Sequence, residues 1–80
     1  MDDAEVLARI AELVDEEHAL ERTGMDAAIT DEAKERLASL EVALDQCWDL
    51  LRQRRARRDA GQDPDAAQVR PEGVVEDYRQ

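Results

Sequence analysis

The feature that most constrains this chain is residues 30–60, which contain neither Pro nor Gly. Within them, apolar side chains recur in steps of four and three: Ala33, Leu37, Leu40, Leu44, Cys47, Leu51. That spacing puts them on one narrow face of a helix and favours packing against another helix. The stripe then stops, and the same face continues as Arg54, Arg55 and Arg58. The stretch therefore reads as one long helix with an apolar seam and a basic end.

What such a helix can pack against is limited by size. Eighty residues allow one small domain, and small domains bury a low fraction of their surface. With one Trp, one Tyr and no Phe, a large core is out of reach. Small helical folds usually gain support from a disulfide, a metal or a second copy of the chain. The single cysteine excludes an intramolecular disulfide and suits a reducing cytoplasm. Asp2 and Asp3 stand where a secretory leader would be basic, and no apolar run approaches the length of a membrane span. Cytoplasmic localisation is expected.

The first helix is expected at about residues 3–23. Asp2 or Asp3 caps it and Glu5 favours its dipole. Val6, Leu7, Ile10, Leu13, Val14 and Leu20 lie at helical spacing along it, with Glu17 interrupting the arc. Gly24 is expected to end it in the left-handed conformation. A short connection then returns the chain at Thr30, a good N-cap followed by Asp31 and Glu32. The fold predicted is all-α: an antiparallel two-helix hairpin over residues 1–60, with helices at about 3–23 and 30–60. Pairing outward from the turn sets Leu13 near Leu40, Ile10 near Leu44, and Val6 with Leu7 near Cys47 and Trp48. Glu17 comes within reach of Lys34 or Arg36. The first helix runs out opposite Leu51, so the last nine residues of the long helix gain no neighbour from it.

Gly61 ends the long helix. Asp63-Pro64-Asp65 reads as the start of a short helical or irregular segment through Val69. Val74, Val75 and Tyr78 close the chain. The tail over residues 61–80 is either frayed or folded back over the hairpin's end, and folding back is the favoured reading.

The net charge of −10 argues against general affinity for nucleic acid or anionic lipid. The positive excess is confined to residues 52–60, where five arginines face a single acid, Asp59. Arg52, Arg54, Arg55, Arg57 and Arg58 encircle the helix, and guanidinium groups suit phosphate or carboxylate. They are candidate contacts for a partner or a phosphate. The plainer reading is a solvated helix end whose cations complement the dipole. Interleaved aromatics for base stacking are missing. Asp15 and His18 are spaced like half of a di-iron helix motif, but Asp replaces Glu and an acidic helix produces such spacings by chance. No metal, cofactor or catalytic residue is assigned. Cys47 reads as structural, since no basic or His partner stands beside it. Trp48 is expected to anchor the open end of the hairpin. Val6, Ile10, Leu13, Leu37, Leu40, Leu44, Cys47, Trp48 and Leu51 form the candidate core or self-association set. Ala43 and Leu50 form a shoulder that could meet a partner.

Taken together, residues 15–18 (Asp-Glu-Glu-His), residues 44–58 (Leu-Asp-Gln-Cys-Trp-Asp-Leu-Leu-Arg-Gln-Arg-Arg-Ala-Arg-Arg), Gly61-Gln62-Asp63-Pro64 and Val69-Arg70-Pro71 resemble a family of small, mainly actinobacterial proteins catalogued as a domain of unknown function. One Lys against ten Arg, with abundant Ala and Asp, fits a GC-rich genome. The resemblance implies a cytoplasmic bacterial protein and transfers no site residue.

The expected function is that of a non-enzymatic interaction module, a homodimeric adaptor or regulator that binds a protein partner. The alternative is association with RNA or a ribonucleoprotein through Arg52–Arg58. Two short helices leave the seam half covered, so a homo-oligomer is expected. Nucleic acid is not favoured, and no membrane contact is expected.

Overall fold

The long helix forms as its pattern demands. In the structure, a computed structural model that describes residues 2–26 and 30–73, it spans Asp31–Asp59 and is called α2. Thr30 caps it from extended backbone, its hydroxyl accepting the Ala33 N–H at 3.0 Å. Asp31 and Glu32 lie in the first turn and Arg57 and Arg58 in the last, each complementing the helix dipole. At the far end the Gln62 N–H donates to the Arg57 carbonyl and the Gly61 N–H to the Arg58 carbonyl. This is a Schellman closure, and it needs a left-handed residue after the cap. Gly61, at φ +74°, supplies it.

The first helix, α1, spans Asp3–Asp26. Asp2 and Glu5 cap it reciprocally: the Glu5 N–H donates to Asp2 Oδ1 at 2.8 Å and the Asp2 N–H to Glu5 Oε1 at 3.2 Å. The expected stop at Gly24 is not used, and α1 runs three residues beyond Thr23. A helical Gly costs only about 1 kcal/mol relative to Ala, and Thr23 turns its hydroxyl onto the Ala19 carbonyl at 3.0 Å, a helical back-bond.

The two helices form the antiparallel hairpin. Arg36 clasps Glu16 through three hydrogen bonds of 2.6–3.1 Å near one end, and Arg54 and Arg58 meet Asp3 at the other. Arg36 thus pairs with Glu16, not with Glu17. Val6, Ile10, Leu13 and Leu40 are buried as expected, and Leu37, Leu44, Cys47 and Leu51 are partly buried. Val14, Leu44, Cys47 and Leu51 pack against Val6 and Ile10.

Three expectations about packing are corrected. Leu50 is not a shoulder residue: it is 4% exposed and belongs to the core cluster, while Ala43 is half-buried. Trp48 does not anchor the hairpin: it is 46% exposed, and Leu7 on α1 is 49% exposed. The last residues of α2 do have a neighbour from the first helix, because Asp3 reaches Arg54 and Arg58.

The physical reason for the first two lies in the C-terminal segment. After Gly61 the chain turns back along α2. Asp63 caps a single 3₁₀ turn, Pro64–Ala66, so the expected helical segment stops short of Val69. Ala67 packs against the core cluster. Gln53 Nε2 donates to the Gln68 carbonyl at 2.8 Å and Gln46 Nε2 to the Arg70 carbonyl at 3.2 Å. Residues 64–70 therefore run as a strap antiparallel to α2. With α1 on one flank and the strap on another, α2 buries an arc wider than one stripe, and Leu50 falls inside it. The expectations for the connection at residues 27–29, and for Val74, Val75 and Tyr78, lie outside the described residues.

Candidate functional site

Because the five arginines of the basic block encircle α2, the two flanking elements sort them. Arg54 points inward and is 5% exposed. Its Nε donates to Asp3 Oδ1 at 2.5 Å, and its Nη1 to Asp65 Oδ1 at 2.9 Å and the Pro64 carbonyl at 3.3 Å. One guanidinium thus ties the start of α1, the end of α2 and the strap. Arg54 is corrected from candidate contact to structural clasp. Arg58 is half-exposed and bonds Asp3 Oδ2 at 2.9 Å. The guanidinium of Arg58 first, then that of Arg54, holds the Asp3 carboxyl down to about 2. Both carboxylates push the Arg54 pKa further up, so it stays charged at every working pH.

A second clasp lies about one and a half turns back along α2. Asp49 is fully buried beneath Arg70, which bonds both carboxylate oxygens: Nε to Oδ2 at 2.8 Å and Nη2 to Oδ1. Gln53 Nε2 adds a bond to Oδ2 at 2.9 Å. These bonds, Arg70 foremost, lower the Asp49 pKa against the opposing effect of burial. Among the described residues no buried side-chain polar atom lacks a hydrogen-bond partner. Reading the sequence for function missed Asp49 and Arg70. The available signal was an acid beside the apolar stripe and an Arg placed before Pro71, in a tail expected to fold back.

What remains outward is Arg52, Arg55 and Trp48, with Arg57 half-buried on the strap side. Trp48, Leu51, Arg52, Arg55, Arg58 and Asp3 line a shallow depression of about 290 Å³. Asp3 has both oxygens engaged by arginines, so the depression presents cations around an aromatic floor. Leu7 lies one helical turn after Asp3 and so flanks the same side of the hairpin. A second depression, of about 260 Å³, lies between α2 and the strap and is lined by Arg52, Gln53, Ala56, Arg57, Gln62 and Arg70.

The remaining candidates lie elsewhere on the hairpin. Burial raises the Cys47 thiol above its ordinary value, with Arg9 only partly opposing this, so the reactive thiolate is disfavoured. Asp15 and His18 are both exposed. Among the described residues no group of three or more His, Cys, Asp or Glu side chains could hold a metal ion. No helix among them is long and apolar enough to cross a membrane.

The comparisons agree with the resemblance seen in the motifs. Residues 2–80 match the family described as "Protein of unknown function (DUF2630)", and the chain belongs to it. An uncharacterized protein of Mycobacterium tuberculosis and another of Mycobacterium bovis are each 51% identical to it over 77 residues, covering 95% of this chain and 88% of the relative. No solved structure matches the chain.

Proposed function

We propose that this member of the DUF2630 family is a small cytoplasmic interaction module, a homodimeric adaptor or regulator that binds a protein partner and performs no catalysis. The observation that carries this reading is the open face of α2. The chain's single Trp is 46% exposed there, set among arginines on a shallow surface. Trp and Arg are the residues most enriched at the energetic centres of protein interfaces. A shallow surface suits a protein contact better than a small substrate, which asks for a concave pocket.

A second reading draws on the same depression. Trp48 beside Arg52 and Arg55 offers a stacking surface next to cations, the combination that single-stranded nucleic acid uses. Against it stand the net charge of −10 and the withdrawal of Arg54 into the fold. The two readings part in a tagged pull-down from the native host's lysate with and without nuclease. The adaptor reading expects a defined protein that survives nuclease. Recovery of ribosomal or RNA-bound proteins that vanish with nuclease would replace it with the second.

A further inference from the structure

The open face of α2 carries an ordered charge pattern. With α1 and the strap covering the other sides of its central turns, the outward residues there step by four, three, four and three: Glu41, Asp45, Trp48, Arg52, Arg55. These steps keep one face of a helix in view. Glu41, Trp48, Arg52 and Arg55 are exposed and Asp45 is half-buried. Two acids precede the Trp and two arginines follow it. At ~1.5 Å per residue, Glu41 and Arg55 stand equally far, ~10 Å, on either side of Trp48. The face is thus opposite in sign about its own midpoint.

We infer that the occupant of this face is a second copy of the chain, packed antiparallel across a two-fold axis at Trp48 so that Glu41 of each copy meets Arg55 of the other. The inference deepens the self-association reading above and rests on it. A two-fold contact uses the same patch on both copies, so each favourable pair occurs twice. At the axis the two indoles meet, and aromatic pairs stabilise beyond the area they bury. One turn inward, Asp45 of one copy lies level with Arg52 of the other, again opposite in sign; both residues also interact within their own chain. A parallel arrangement would set Glu41 against Glu41 and Arg55 against Arg55, a repulsive register. The charges therefore select the antiparallel one. The Asp3 carboxylate, the acid lining the Trp48 depression, is neutralised by its own two arginines and leaves Arg55 available to the partner.

The test is sedimentation equilibrium at low ionic strength on the wild-type chain, on Glu41→Arg, on Arg55→Glu, and on an equimolar mixture of these two variants. In the Glu41→Arg homodimer both symmetry-related pairs become Arg–Arg, and in Arg55→Glu both become Glu–Glu. In the mixed dimer both are opposite in sign again. The wild type is expected to be dimeric at micromolar concentration, each variant alone to associate roughly tenfold more weakly, and the mixture to recover to within roughly threefold of wild type. Trp48 emission, from the chain's one Trp, should shift to the red as the wild-type dimer is diluted apart. A wild-type dimer indifferent to both reversals, or a mixture no tighter than its components, overturns this interface and leaves self-association standing. A wild type that stays monomeric at ~100 μM overturns both.

Discussion

Arg54 and Arg55 are adjacent in sequence and share a side chain, yet they belong to different regions of the molecule. Arg54 lies in the flank of α2 enclosed by α1 and the strap, where it meets two carboxylates and a carbonyl. Arg55 lies on the open flank beside Trp48. A helix turns about 100° per residue, so a contiguous basic run is divided among whatever surrounds it. The enclosed flank uses charge to hold three segments together. The open flank presents charge outward, acids before Trp48 and arginines after it. A cluster of like residues is therefore two features, and only the packing around the helix separates them.

The largest effect expected from breaking the enclosed flank is at Asp49. Asp49→Ala removes the acceptor of Arg70 and of Gln53 and should destabilise by about 2 kcal/mol. Urea denaturation reads the loss, and hydrogen exchange over residues 64–70 should show the strap opening first. Replacing Asp49 and Arg70 together by Leu should recover much of that loss, since buried ion pairs often exchange for apolar pairs at little cost.

Gly61→Ala should cost about 1 kcal/mol, because the residue at φ +74° would carry a Cβ in the left-handed region although nothing crowds it. The same urea titration measures it.

Acid sharpens the comparison next. Asp3 is held at about 2, below its ordinary 3.8, and Asp49 is also lowered. A depressed carboxylate binds protons more readily in the unfolded chain, so its contribution is complete above pH ~4 and is lost as pH falls toward ~2. Melting temperature should therefore fall across that window, and Asp3→Asn should flatten the fall while lowering stability at neutral pH. A Tm profile that runs parallel in wild type and Asp3→Asn would contradict the assignment.

The smallest effect belongs to the open flank. Arg55→Gln should change monomer stability by less than about 0.5 kcal/mol, as an exposed substitution outside any intrachain clasp.

How much of this was legible from residues alone follows the same division. Thr30, Gly61 and Asp63-Pro64 act on neighbours within a few positions, and each does in the structure what its type implies. Val6, Ile10, Leu13 and Leu40 follow the helical period and are buried. What escaped were effects of distant chain. Arg54 is structural because Asp3 arrives from 51 positions away and Asp65 from 11. Leu50 and Asp49 are buried because the strap covers a flank that a two-helix layout leaves bare. Trp48 was expected inside for its size, yet it points to the third, uncovered side of α2. Local signals specify elements, whereas the second neighbour of a helix is set by tertiary return of the chain.

The most direct test of the division is a pair of thermal melts, Arg54→Gln beside Arg55→Gln, at a protein concentration low enough to keep both monomeric. The account predicts that Arg54→Gln lowers the melting temperature by several degrees while Arg55→Gln melts with the wild type. Equal melting temperatures for the two variants would contradict it, because the basic run would then be one surface feature and not two.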